Sequence, residues 1–172
     1  TTTLSVVASK KYSWKRPVQK RDKNILTRNL FQGSAHDMAF LAVVACSLIH
    51  SKSKTTLQIP ADEEQLIIVK SGKLNISFRD STWSIGPGSI ALLIPSENVG
   101  MQSEQDGDCS YYLMRYRSKD AMDPARGNSS GGSFVKDWNK LAFRAHDRGG
   151  VRHYFEKATA MSKRFEMHVT TL

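Results

Sequence analysis

The chain has 172 residues, of which 40% are hydrophobic and 24% charged, an ordinary globular composition with enough length for one well-buried domain. A net charge of +9 points towards nucleic acid or an anionic surface. However, Lys10, Lys11, Lys15, Arg16, Lys20, Arg21, Lys23 and Arg28 oppose only Asp22, so the first 28 residues carry about +7 of that charge and the remainder is nearly balanced.

Residues 1–11 read as a basic N-terminal arm. Its continuation, with Tyr12 and Trp14, offers phosphate contacts and ring stacking to RNA or DNA, against the plainer reading of a solvated leader over the domain surface. Short segments of β character follow: 24–31, 40–49, 54–59, 65–72, 73–79, 82–85, 89–95 and 109–117. Turn signals such as "KSGK", "GPG", "PSEN" and "EQDGD" separate them. Such spacing predicts an all-β sandwich or barrel. "KLNISF" alternates, with Leu74, Ile76 and Phe78 on one face, whereas "SIALLI" and "FLAVVACSLI" are apolar on both, as in strands packed between a barrel interior and a second layer. The longest apolar run, 39–49, is too short to cross a bilayer as a helix, which needs about 20 residues. Cys46 and Cys109 fall in expected strands and have neither metal-type nor redox-type spacing, which predicts buried free thiols.

Residues 118–133, rich in Gly and Ser with little apolar content, read as a linker. After it the chain repeats itself. Aligned without gaps, 12–48 and 136–172 place Trp14 on Trp138, Arg28 on Arg152, Phe31 on Phe155, Val43 on Met167 and Leu48 on Leu172. Residues 12–117 are therefore expected to form one barrel, and 134–172 the opening strands of a second. The expectation is that a longer protein continues beyond Leu172. The orphan strands are expected to lie along the first barrel, a partner chain or a further C-terminal barrel, because an open edge is an aggregation liability.

"EEQLIIVKSGKLNISF", with Gly72, and "SIGPGSIALLIPSENVG", with the Gly86-Pro87-Gly88 turn, resemble the two motifs of the cupin superfamily (RmlC-like jelly rolls), in particular bacterial two-barrel bicupins. The resemblance covers most of 12–117 and implies a jelly-roll β-barrel. It places the family's metal-ligand positions, two histidines, a glutamate and a later histidine, on Ile59, Ala61, Gln65 and Gly100. None is a competent ligand, since Ile, Ala and Gly offer no lone pair and a neutral Gln amide is a weak donor. No metal ligand, catalytic residue or cofactor is therefore expected in this segment. The bicupin resemblance implies a divalent metal and an enzyme, of the ureidoglycine aminohydrolase-like or dioxygenase kind, in a downstream barrel.

Three functions remain open at this stage. The first is a non-catalytic structural or dimerisation barrel, partnered by its own C-terminal barrel or a second copy. The second is a small-molecule-binding barrel with a pocket formed by Ile59, Ala61, Gln65, Ile67, Ile90, Leu92 and Gly100, with Met101 beside it. The third is a metalloenzyme with an atypical site at Asp62, Glu64 and Gln65. Among other groups, Arg115 and Arg117 offer charge to an anion, His36 and Asp37 shape a loop, and Glu166 and His168, two apart on one strand, share a face. No nucleophile elbow, P-loop or dinucleotide fingerprint is present. The sequence fixes no compartment; cytoplasm and export after leader removal both fit it.

Overall fold

The computed structural model describes residues 3–17, 20–104 and 107–172, and the side chains of 18–22 (Lys20 and Arg21 of the basic arm among them) lie outside what it describes. Ten strands make the barrel: β1 (Lys20–Asp22), β2 (Ile25–Gly33), β3 (Met38–Leu48), β4 (Thr55–Gln58), β5 (Glu64–Ser71), β6 (Leu74–Phe78), β7 (Ser81–Ile85), β8 (Ile90–Leu93), β9 (Asn98–Ser103) and β10 (Cys109–Ser118). A short helix α1 (Pro124–Ser129) follows, then β11 (Phe134–Lys136), a single turn at Trp138–Lys140, and three more strands, β12 (Phe143–His146), β13 (Gly149–Lys157) and β14 (Phe165–Thr171).

Two antiparallel sheets face each other as a jelly roll. One has the order β1-β2-β3-β10-β5-β8-β11, the other β4-β9-β6-β7. Between them lies one apolar core containing Leu48, Ile67, Leu74, Ile76, Leu93 and Tyr111, each at most 2% exposed. Eight of the ten barrel strands fall on segments expected from β character. β9, "NVGMQS", does not; its glycine and polar residues hide it, and it is a strand because β4 and β6 pair with its two edges.

Residues 118–133 are not an extended linker. β10 runs to Ser118, and the segment then folds into α1, started by Pro124 and capped by Asp123, whose carboxylate accepts the Arg126 amide at 2.9 Å. The Arg126 guanidinium donates to the carbonyls of Thr159 and Ala160 at 2.8 and 3.1 Å. Gly127 is buried so closely against Ala160 that an added Cβ would lie 2.9 Å from its methyl group. The Gly/Ser composition here reflects close approach as well as freedom.

The strands after α1 lie on the barrel. β11 extends the larger sheet by pairing with β8, Phe134 opposite Leu92. β12, β13 and β14 form a separate three-stranded sheet. Its inner face, with Tyr154, Phe155, Phe165 and Met167, packs on Leu66, Ile90 and Leu92 of the larger sheet's outer face as a second apolar cluster. Burying Tyr154 and Phe155, at 4% and 5% exposure, contributes roughly 2–3 kcal/mol each.

This added sheet reproduces the geometry of β1, β2 and β3. Under the gapless offset that carries Trp14 to Trp138, β2 coincides with β13 end to end. The cross-strand pairs coincide too: Arg28↔Ala45 with Arg152↔Val169, and Phe31↔Val43 with Phe155↔Met167. Both hairpins carry a bulge at the same place, between Asn29 and Phe31 and between His153 and Phe155. The pairs Lys20↔Thr27 and Arg144↔Val151 also correspond. One difference remains. β3 is flanked by β10 on its other edge, whereas β14 has no strand beside it among the described residues.

Candidate functional site

The barrel interior is the first place to seek a ligand. Ile59, Ile67 and Met101, with Gln65, surround a void of only about 20 Å³, room for one water molecule and no organic ligand. The other expected pocket residues lie elsewhere. Ala61 is exposed in a turn. Ile90 and Leu92 point out of the barrel into the second cluster, while Ala91 and Leu93 point in. Gly100 sits on the outer face of β9, where an added Cβ would meet Ser77 Oγ, and its neighbours Val99 and Met101 point in. The error in Ile90 and Leu92 has a simple cause: all four residues of β8 are buried, so alternation carries no information about which face looks inward.

The four metal-ligand positions of the cupin motifs do not converge. Ile59 and Gln65 face inward, Ala61 is solvated, and Gly100 faces outward. The residues present do not fit a metal at that place. The neighbouring acids point apart: Glu63 lies on the inward face, Glu64 faces the opposite way, and Asp62 is exposed in the turn. Glu63, 3% exposed at its side chain, accepts two hydrogen bonds from Arg115 at 2.8 and 2.9 Å and a third from the Gln65 amide at 2.7 Å. This network lies one register step beyond Ile67 and Leu113, on the same inward face of β5 and β10. Asp62 pairs with Arg117 at 2.6 Å, which lowers the Asp62 carboxyl below its usual range. Both guanidiniums lie over the Phe40 ring. Arg115 and Arg117 are thus committed to neighbouring acids.

Glu64 faces the opposite way and is fully buried. Its carboxylate accepts the Tyr116 hydroxyl at 2.8 Å and the amides of Ala160 and Met161 at 2.8 and 3.2 Å. Burial, reinforced by the Glu64 charge, pushes the Tyr116 phenol well above its ordinary range. One side chain therefore ties the barrel to the turn between β13 and β14. Sequence reasoning found the acid without its role; Ala160 lies far along the chain and carries no signal of its own.

The docked strands make a second junction at the Gly86-Pro87-Gly88 turn. Gly88 has φ +84°, and a Cβ there would lie 2.7 Å from the Trp138 ring. The Tyr154 hydroxyl donates to the Gly88 carbonyl at 2.5 Å, and Arg152 lies over Trp138, 4.4 Å from its centroid. The glycine serves both the turn conformation and the approach of a tryptophan. In the N-terminal arm, Trp14 packs edge-on against Tyr112 at 4.8 Å and Tyr12 against Phe31 at 4.2 Å. The two rings considered for nucleobase stacking are occupied by the barrel's own aromatics.

An open cleft of about 650 Å³ lies between the end of β10 and the 161–164 turn; Tyr116, Lys119, Arg126, Met161 and Lys163 are among its walls. On the outward face of β13 and β14, His153, Glu156 and Glu166 bring ligand-type atoms within 4.8 Å of one another, with His168 beside them. His36 and Asp37 pair at an exposed loop, 2.7 Å apart. Cys46 and Cys109 are buried and free, and burial raises each thiol to about 12. Among the described residues no helix is long and apolar enough to cross a membrane.

Comparison with known proteins agrees with this architecture. The family model described as the AraC-like ligand binding domain matches residues 59–159. No curated protein matches the chain. Among solved structures, the Ylba protein of E. coli is similar at 13% identity and a TM-score of 0.56, over 79% of this chain and 52% of that one. A putative glyoxylate induced protein from Pseudomonas aeruginosa is similar at 10% identity and a TM-score of 0.55, over 90% of this chain and 65% of that one. KdgF from Halomonas sp. follows at 14% identity and a TM-score of 0.47, over 57% and 84%. The chain spans about half the length of the E. coli protein and under two thirds of the Pseudomonas one.

Proposed function

Since the chain belongs to the AraC-like ligand-binding domain family, a cupin-type barrel, we propose that its barrel is a non-catalytic module that carries and orients the opening strands of a second cupin repeat. The observation behind this reading is the repeated hairpin: β13 and β14 share register and bulge with β2 and β3, yet dock across the outside of the first barrel. The barrel's interior supports it, apolar side chains and Gln65 leaving a void of only about 20 Å³. Glu64, Gly88 and Trp138 are the residues of the junction. In this reading any chemistry, and any divalent metal, lie outside this barrel.

The test is a thermal-shift panel of organic acids, sugars and nucleotides on this chain. Ligands that bind only the folded state raise the midpoint by mass action. No shift is expected from occupancy of the barrel interior. A shift abolished by enlarging a side chain that lines the void, for example Leu113→Phe, refutes the structural reading.

A second reading rests on the 650 Å³ cleft, whose size suits a small ligand and whose walls include Lys119, Arg126 and Lys163. It predicts a shift with an anionic ligand that is lost in Lys163→Ala and retained in Leu113→Phe.

A further inference from the structure

We propose that the outward face of β13 and β14, through His153, Glu156, Glu166 and His168, is a binding site for a divalent cation of the zinc, cobalt and nickel class. The four residues form two cross-strand pairs, His153↔His168 and Glu156↔Glu166. The bulge after His153 keeps residues 153 and 156 on one face although their spacing is odd. Glu166 Oε1 lies 3.8 Å from His153 Nε2 and 3.6 Å from His168 Nδ1. Those separations are too long for hydrogen bonds. They are close to the edge of a tetrahedron of ligands around zinc, about 3.3–3.4 Å for bonds of about 2.0–2.1 Å. His153, Glu156 and Glu166 each offer an atom within 4.8 Å of the other two, and exposed side chains can close that spacing around one ion, with His168 reaching it from the Glu166 side. Two imidazoles with carboxylate oxygens suit zinc, cobalt or nickel better than calcium or magnesium, which prefer all-oxygen shells.

Arg164 holds the remaining oxygens in place. Its Nε donates to Glu156 Oε1 at 2.6 Å and its Nη2 to Glu166 Oε2 at 3.3 Å. Glu166 Oε1 therefore stays turned towards the imidazoles, as a ligating carboxylate is fixed by a donor on its other side. All four side chains are more than a third exposed, so an ion reaches them directly.

The repeat gives an independent reason to expect a ligand. The equivalent positions in the first hairpin are Asn29, Gln32, Ala42 and Val44, all neutral. Asn29 donates to Gln32 at 2.9 Å, Ala42 is 2% exposed, and Val44 packs against the interior core. The same face of the first hairpin, exposed at Asn29 and Gln32 and covered at Ala42 and Val44, thus carries two imidazoles and two carboxylates in the second hairpin. This step rests on the reading above. A second barrel closing over that face would desolvate a group of charges that needs a compensating cation.

The experiment uses the tag-free chain after chelation and desalting. Zinc binding is followed by calorimetry, and cobalt binding by the visible bands of a tetrahedral ion. One ion per chain is expected. His153→Ala, His168→Ala and Glu166→Gln should each weaken binding at least tenfold, with a smaller loss for Glu156→Gln. His36→Ala and His146→Ala, at the other two histidines beside an aspartate, should change nothing. Circular dichroism melts verify that these exposed substitutions leave the fold intact. No saturable one-to-one binding below about 1 mM, or binding that persists in both His153→Ala and Glu166→Gln, overturns the site. Failure here with a silent ligand panel removes the site and leaves the structural barrel standing. Stoichiometric zinc together with an interior ligand removes the structural reading and leaves the site.

Discussion

Replacing Glu64 by alanine removes an acceptor that takes hydrogen bonds from both the barrel and the docked strands. Three donors lose a partner: the Tyr116 hydroxyl and the amides of Ala160 and Met161. Met161 retains Thr159 Oγ1 at 3.2 Å, so two groups are left unsatisfied. Glu64 is 0% and Tyr116 2% exposed, so water does not reach them without opening the junction. An unsatisfied buried donor costs about 1–3 kcal/mol, and the emptied volume adds to that, giving about 3–5 kcal/mol for Glu64→Ala. In a chain of this size that lowers the melting midpoint by roughly 6–20 °C. Glu64→Gln keeps an oxygen for the two amides and costs less, about 1–2 kcal/mol. Tyr116→Phe, which removes one donor and leaves the carboxylate its other two, falls in the same range. Chemical denaturation gives the energies, and amide hydrogen exchange locates the loss: in Glu64→Ala, protection at Ala160 and Met161 should fall before that of β5. The reasoning is refuted if Glu64→Ala melts where wild type does, or loses no more than the exposed control Asp62→Ala.

Gly88→Ala forces a Cβ into the Trp138 ring at positive φ and should cost about 2–4 kcal/mol by the same denaturation assay, whereas Gly86→Ala, with open space around its Cβ, should be nearly neutral. Arg115→Ala strands the Glu63 carboxylate; a loss of about 2 kcal/mol is expected, below the usual range for a buried pair because the guanidinium is 38% exposed, and Glu63→Gln in the same chain should restore part of it. Cys46 and Cys109 should resist thiol reagents at neutral pH in the native chain and react on unfolding. Their folded thiols titrate near 12 against 9.0 for the free group, and Tyr111 and Tyr116 are raised as well, so the unfolded state loses protons first. Stability should be flat below about pH 9 and decline above it; a denaturation midpoint unchanged to pH 11 would contradict this.

The amino-acid sequence determined the class of fold and the repeat. Period-two alternation, turn glycines and apolar runs are local signals, and they mark eight of the barrel strands without any knowledge of partners. What Ile59, Ala61, Gln65 and Gly100 can offer chemically was equally legible, because it depends only on which atoms those side chains carry. The tertiary structure decided which way they point. β8 is buried on both faces, so only the docked sheet shows that Ile90 and Leu92 look outward. β9 exists because β4 and β6 claim its edges. Glu64 acquires its role from a turn nearly a hundred residues away, whose amides have no sequence signature. The same holds for the histidine–carboxylate face: Glu166 and His168 share a strand and could be paired from the sequence, but a bulge in the neighbouring strand brings His153 and Glu156 to the same side. Contacts that depend on register and on docking between distant segments are products of packing, and the sequence specifies them only through the fold it forms.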